Sequence, residues 1–143
     1  MTTCKVWTTL RGRPPIKATK NSTGYDVYAA ETISIIPGKV TKVKTGLHLE
    51  PDPTLDLQLR CRSSLASKGI VLPGGVHTID PDYRGELFVP LISLTDQHVV
   101  NEGDRIAQIV FTQVVHPTIN QVKELKDLSQ TERGVGGFGS TGQ

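Results

Sequence analysis

The sequence predicts an all-β domain, a sandwich or barrel of short antiparallel strands, and three observations carry that expectation. In LDLQLRC, Leu55, Leu57, Leu59 and Cys61 alternate with Asp56, Gln58 and Arg60, the period-two pattern of a strand with one buried face. ELFVPLISL and RIAQIVFTQVV are nearly continuous apolar runs of strand length, which suit strands buried on both faces. The 14 glycines and 9 prolines among 143 residues cut the chain into short pieces joined by turns. That length has room for one core and excludes a separate cofactor-binding half.

Taken in order, STGYDVYAAE reads as a strand that sends Tyr25, Val27 and Ala29 to one side and Asp26 and Tyr28 to the other. ETISIIPGKVTKVKTGLHLE reads as two strands joined at Pro37-Gly38. After the LDLQLRC strand, RSSLASK offers a serine start for one short helix. LPGGVHTIDPDYRGEL is a hairpin that turns at Pro73-Gly74-Gly75. Pro90, inside the next apolar run, requires an edge or a bulge. Gly103-Asp104 is a turn before the last long strand, and KELKDLS is open between helix and coil. Residues 131–143 differ in kind: Gly134, Gly136, Gly137, Gly139 and Gly142 surround a single Phe138, a composition that cannot pack as a core strand. The expected division is therefore a β domain over 1–130 and a flexible glycine-rich arm over 131–143.

Charge and cysteines narrow the function classes. A net charge of +2 with scattered Lys and Arg is too mild to argue for nucleic acid, so a bound anion is expected to be small. Cys4 and Cys61 make no disulfide framework and have no metal-ligand spacing with His48, His77, His98 and His116, which fits a reducing, intracellular setting. No apolar run approaches the roughly 18 residues of a membrane span, and MTTCKVWTTLRGR has no signal-peptide core, so the expectation is a soluble protein.

Five segments could hold chemistry. Asp26 is either a solvated strand aspartate or a functional one. Arg62, Ser63 and Ser64 gather a guanidinium, two hydroxyls and backbone amides, the donors a polyphosphate needs, or they are simply a capped helix start. The hairpin can offer backbone groups at its tip to a planar base and fix Asp80 and Tyr83 beside it, or be an ordinary hairpin with turn aspartates, and His77 by itself indicates no ligand. Gln108, inside an apolar strand, must find partners in a structural network or a ligand. Arg133 and the glycine amides of the arm can form an anion nest.

The order and spacing of these segments, with IDPDYRGE, GDRIAQ and RGVGGFGSTG as their most specific stretches, resemble the five motifs of the trimeric dUTPase family over about residues 14 to 142. The resemblance implies a jelly-roll-like β fold, a homotrimer with active sites shared between subunits, and Mg²⁺-dependent hydrolysis of dUTP to dUMP and pyrophosphate. Carried onto this chain, Asp80 holds and deprotonates the attacking water, and Tyr83 stacks under the deoxyribose. Gly74, Thr78 and Ile79 pair with uracil through the backbone. Arg62, Ser63, Ser64 and Gln108 hold phosphates, with Asp26 in support near the metal. The arm closes from another subunit, Phe138 over uracil and Arg133, Gly139, Ser140 and Thr141 on the γ-phosphate. Mg²⁺ is held mainly by phosphate oxygens and waters.

The chain departs from the family's usual PRSGLA at Cys61 and Ser64, carries His77 where Gly is usual, and has Gly74 where bacterial members commonly have Asn. RSSLA and the HTIDP stretch also look like the sister family, the dCTP deaminases, which is the alternative enzyme. That family's catalytic Glu matches Pro90 here, and proline cannot shuttle protons. A family member turned nucleotide sensor or partner-binding protein is a second alternative, against which the retained Asp80 argues.

Overall fold

The computed structural model describes residues 1–139 and 142. Its strands are β1 (Cys4–Thr8), β2 (Tyr25–Tyr28), β3 (Ile33–Ile35), β4 (Thr41–Lys44), β5 (Leu47–Pro51) and β6 (Leu55–Arg60). A one-turn helix, α1 (Ser63–Ala66), precedes β7 (Ile70–Val71), β8 (His77–Ile79), β9 (Phe88–Ser93), β10 (His98–Val100) and β11 (Arg105–Gln113). A single three-ten turn spans Leu125–Asp127, and no helix among the described residues is long and apolar enough to cross a membrane.

The strands form open antiparallel sheets in the orders β2-β11-β6-β8, β4-β9-β7, β1-β5 and β3-β10, so the all-β expectation holds while no closed barrel forms. Alternation on β6 buries Leu55, Leu57 and Leu59. They join Val27 of β2, Val43 of β4, Val89 and Leu91 of β9 and Ile109 of β11 in one core, with Leu57, Leu59 and Ile109 fully buried. Removing such area from water is worth about 25 cal/mol per Å², so this inner face carries the fold and leaves the outer face to polar groups.

Three local expectations are corrected. The stretch 31–50 forms three strands, because Thr45-Gly46 breaks the second half, with Gly46 at φ +62° packed against Gly12. Strands β3 and β4 flank the Pro37-Gly38 turn but pair with β10 and β9, not with each other. Strand β9 alternates, with Val89, Leu91 and Ser93 buried and Phe88 exposed, whereas β11 is buried on both faces at Ile106-Ala107 and Ile109-Val110. Pro90 pairs with Lys42 of β4, and β7 reaches only Ile92 and Ser93, so Pro90's other flank is a local edge. The helix begins with Arg62, in extended conformation, as its N-cap without a side-chain cap bond, so the serines are its first helical residues.

Candidate active site

Nine of the predicted residues fall into two clefts. In the first, register does the assembly: Asp26 of β2 lies opposite Gln108 of β11, and Gln108 lies opposite Arg60 of β6. Cross-strand partners share a face, so Asp26, Gln108 and the chain leading from Arg60 to Arg62 meet on the outer side of the sheet. They line a cleft of about 360 Å³ with Ser63 and Ser64.

Arg62 is held on three sides. Its Nε donates to Asp26 Oδ1 at 3.0 Å, and its Nη1 donates to the Arg105 carbonyl at 3.1 Å and to Ser64 Oγ at 3.4 Å. Nη2 has no protein acceptor among the described residues, so the fork keeps donors for an anion. The Arg62 and Asp26 side chains are only 20% and 13% exposed, a partly desolvated pair, while Arg105, 3.4 Å from Asp26 Oδ2, is 49% exposed. Gln108 donates one amide hydrogen to the Cys61 carbonyl at 2.8 Å, which fixes the side chain and leaves its second N–H for the cleft.

Two contributors to this cleft escaped the sequence reading. Arg105 doubles the cation count around Asp26, and its signal was the basic residue inside GDRIAQ. Gly24 gives Gln108 its place: a Cβ there would collide with the Gln108 amide, lying 2.9 Å from Cδ. The glycine of STGYD is thus a close-approach residue.

The second cleft, about 290 Å³, is lined by Thr78, Ile79, Asp80 and Tyr83, with Lys42 and Phe88 opposite. Asp80 is exposed, and no described protein group hydrogen-bonds its carboxylate, so both oxygens are open to water. Asp80 and Tyr83 close a turn through the Tyr83 N–H to the Asp80 carbonyl, 3.1 Å, and the phenol donates to the Glu86 carbonyl at 2.9 Å. Gly85 permits this, since a Cβ there would run into the Tyr83 ring, 2.8 Å from Cε2. The expected hairpin at Pro73-Gly74-Gly75 is corrected: β7 pairs with β9 and β8 with β6, not with each other, so residues 72–76 form a turn that crosses between two sheets, with Gly74 exposed in it at φ +82°.

These two clefts share no lining residue. Ile79 pairs with Leu57, so Asp80 follows beside Asp56, six positions along the chain from Arg62. At about 3.3 Å per strand residue, that is a separation on the order of 20 Å. Arg133, Phe138 and Gly139 join neither cleft: Phe138 is fully exposed at φ +50°, and the hydrogen bonds of residues 115–139 are made within that segment, apart from the Gly142 N–H that the Gly139 carbonyl accepts at 3.1 Å. Ser140 and Thr141 lie outside the described residues.

Among the described residues no three His, Cys, Asp or Glu side chains converge on a common point. A third cavity, about 680 Å³ between β1 and the end of β11, contains none of the predicted residues. Cys4, which lines it, has its thiol pushed above the ordinary range by burial.

The dUTPase family model matches residues 12–142. The chain belongs to the dUTPase family. Among its relatives, the deoxyuridine 5'-triphosphate nucleotidohydrolase of Ehrlichia canis is 44% identical over 132 residues, covering 90% of this chain and 86% of that protein. The same enzyme of Nautilia profundicola is 43% identical over 131 residues, with 90% of each chain covered. In three dimensions the chain superposes on a variant dUTPase of Staphylococcus bacteriophage 80alpha solved with dUpNHpp, with a TM-score of 0.85, 26% identity and 99% of both chains covered. The phage phi11 dUTPase variant described with a structural Mg(II) ion has the same fold, with a TM-score of 0.80, 24% identity and coverage of 87% and 99%.

Proposed function

We propose that this dUTPase-family chain hydrolyses dUTP to dUMP and pyrophosphate at sites built between the subunits of a homotrimer. One observation supports the reading: by the register of β6 with β8, the exposed Asp80 carboxylate and the Arg62 cleft with its free donors lie on the order of 20 Å apart in one chain. A nucleoside triphosphate does not span that gap with its α-phosphorus at Asp80 and its phosphates on the Arg62 of the same chain. A second copy that sets its Arg62 cleft against this copy's Asp80 cleft removes the gap. The exposed apolar residues Val115, Ile119, Val122, Leu125 and Leu128, on the segment that leaves β11, favour burial against such a copy.

Within that site the backbone of the turn at Gly74 and of β8 at Thr78 and Ile79 reads uracil, and the Tyr83 ring lies under the deoxyribose, where a 2′-hydroxyl does not fit. Asp80 holds a water and takes its proton as the water oxygen attacks the α-phosphorus and the bond to the pyrophosphate leaving group breaks. Arg62, Ser63, Ser64 and the free N–H of Gln108 stabilise the charge that gathers on the departing phosphates. Asp26 acts through Arg62, whose fork it orients. The arm, residues 131–143, closes from a further copy, with Phe138 over the base and Arg133, Gly139, Ser140 and Thr141 at the γ-phosphate.

Mg²⁺ fits this donor set as an ion bound by phosphate oxygens and waters, because Asp26 is engaged by two arginines and no protein cage is formed by the described residues. When bound it screens phosphate charge. The reaction serves the cell twice, by removing dUTP that would put uracil into DNA and by supplying dUMP for thymidylate synthesis, and both roles fit an enzyme of the intracellular nucleotide pool.

Pyrophosphate release from dUTP, dCTP, dTTP and UTP tests the substrate, with dUTP expected to dominate. Mixed trimers test the sharing. A truncation after Thr131 retains Asp80 and lacks the arm, and full-length Asp80→Asn has the arm without the base. Each alone is expected to be nearly inactive, and refolding them together is expected to restore a sizeable fraction of activity. No recovery in trimers verified by mass would refute the shared site.

A further inference from the structure

We propose that His77 is a positioning residue for base recognition, holding the glycine turn between β7 and β8 in one shape from the strand behind it. The proposal rests on the reading of that turn as the base site and deepens it.

Nothing in the tip itself can do this. Gly74 and Gly75 both stand at positive φ, +82° and +83°, and both are exposed. A Cβ on Gly75 would meet nothing, and one on Gly74 would find as its nearest atom His77 Nε2, at 4.0 Å. Only two backbone bonds close the turn, Gly75 N–H to the Leu72 carbonyl at 3.1 Å and Val76 N–H to the Gly74 carbonyl at 3.2 Å. Two adjacent glycines have the widest backbone freedom of any pair, so a tip held only by those bonds must be ordered each time a ligand docks.

His77 supplies the missing tie. It begins β8, pairs with Leu59 of β6 and is half-buried, so its backbone belongs to the four-stranded sheet. Its φ is not positive, so a side chain with a Cβ sits there without strain. The imidazole Nε2 reaches back four residues to the Pro73 carbonyl at 2.6 Å. A carbonyl only accepts, so Nε2 carries the proton and donates. Pro73 has a ring-locked φ, so the bond links a stiff residue before the glycines to a paired residue after them. The other end of the loop is tied as well, by the Leu72 N–H donating to Cys61 Sγ at 3.0 Å. Gly74 and His77 are thus complementary departures: a tip without side chains, and a side chain that steadies it from outside.

His77→Asn and His77→Gln separate positioning from bulk structure, because the glutamine amide nitrogen can occupy the place of Nε2 and the asparagine amide falls short of it. With dUTP, His77→Asn is expected to raise KM about three- to tenfold, the scale of one lost hydrogen bond, with kcat within about twofold. His77→Gln is expected to return KM to within about twofold of the parent, with equal melting temperatures for the two variants. Inhibition by tripolyphosphate, which has no base, is expected to be the same in all three proteins. In the ligand-free parent, a long-range ¹H–¹⁵N spectrum is expected to show the Nε2-protonated tautomer. Equal KM for His77→Asn and parent, failure of glutamine to rescue, or tripolyphosphate binding that weakens in step with dUTP would each overturn the proposal. An Nδ1-protonated ring would remove the clamp even if dUTP is the substrate. A parent that releases no pyrophosphate from dUTP would instead fail the functional reading and take the positioning role with it.

Discussion

Asp26 is the hinge of the Arg62 cleft, and replacing it with asparagine changes charge without changing shape. Two arginines lose their anion, but unequally. Arg62 is 20% exposed and bonded through Nε at 3.0 Å, so its charge-assisted bond falls in the range of about 1.5 to 3 kcal/mol. Arg105 is 49% exposed at 3.4 Å, and a pair that wet and that long is worth about 0 to 1 kcal/mol. Asp26→Asn should therefore destabilise the chain by about 2 to 3 kcal/mol, almost all of it through Arg62. Urea denaturation of a double-mutant cycle measures the division: Asp26→Asn combined with Arg62→Gln, and separately with Arg105→Gln. The expected coupling is above about 1.5 kcal/mol for the first pair and below about 1 for the second. Weakened inhibition by tripolyphosphate should accompany the first, because an unanchored Arg62 no longer aims its free Nη2 at the anion. A coupling to Arg62 no larger than that to Arg105, or phosphate affinity unchanged in Asp26→Asn, would refute the claim that Asp26 works by orienting Arg62.

Asp80→Asn preserves the turn and removes the proton acceptor, so turnover of dUTP should fall by about 10²- to 10⁴-fold while nucleotide binding, measured by calorimetry, is largely retained. Tyr83→Ala opens the space under the sugar, and the ratio of kcat/KM for dUTP over UTP should fall; an unchanged ratio would assign sugar discrimination elsewhere. Phe138→Ala should cost about 1 to 3 kcal/mol of base stacking, and a Phe138→Trp protein should change its fluorescence when a non-hydrolysable dUTP analogue and Mg²⁺ are added, an absence of change telling against closure of the arm over the base.

The sequence made some of this legible because the physics was local. LDLQLR alternates, and the strand it forms buries every second residue. The Pro37-Gly38 turn and the one-turn helix were visible for the same reason. The break at Gly46 was not, because it follows from the packing of Gly46 against Gly12, a contact made by the folded chain. The apolar run of β9 looked like a strand buried twice over, whereas Phe88 and Pro90 are turned outward to line the Asp80 cleft. Apolar content reports that a side chain avoids water and does not say whether a core or a pocket wall receives it. Arg105 was missed because its partner Asp26 is 79 residues away. Thr78, Ile79, Asp80 and Tyr83 line one cleft and Asp26, Arg62, Ser63, Ser64 and Gln108 the other, a split that follows from the pairing of Leu57 with Ile79, and register is not written in either strand alone.

That split also decides between the readings that the motifs alone left side by side. A deaminase of the sister family needs a proton-shuttling carboxylate at the position of Pro90, and Pro90 does line the same cleft as Asp80 and Tyr83, so the geometry of the comparison is sound. What stands there is a side chain without an ionisable group. The nearby Glu86 does not replace it, because one carboxylate oxygen accepts the Gly46 N–H at 2.8 Å and ties the acid to the backbone. dCTP should accordingly yield no ammonia. A nucleotide sensor without turnover would gain nothing from an exposed carboxylate with no protein hydrogen bonds beside a nucleoside pocket, since a negative charge there repels the phosphates it would have to bind. An unengaged Asp80 is useful to a protein that needs a water polarised at that point, and that is the one chemical step the Arg62 cleft, with its donors and with Asp26 engaged by two arginines, cannot perform for itself.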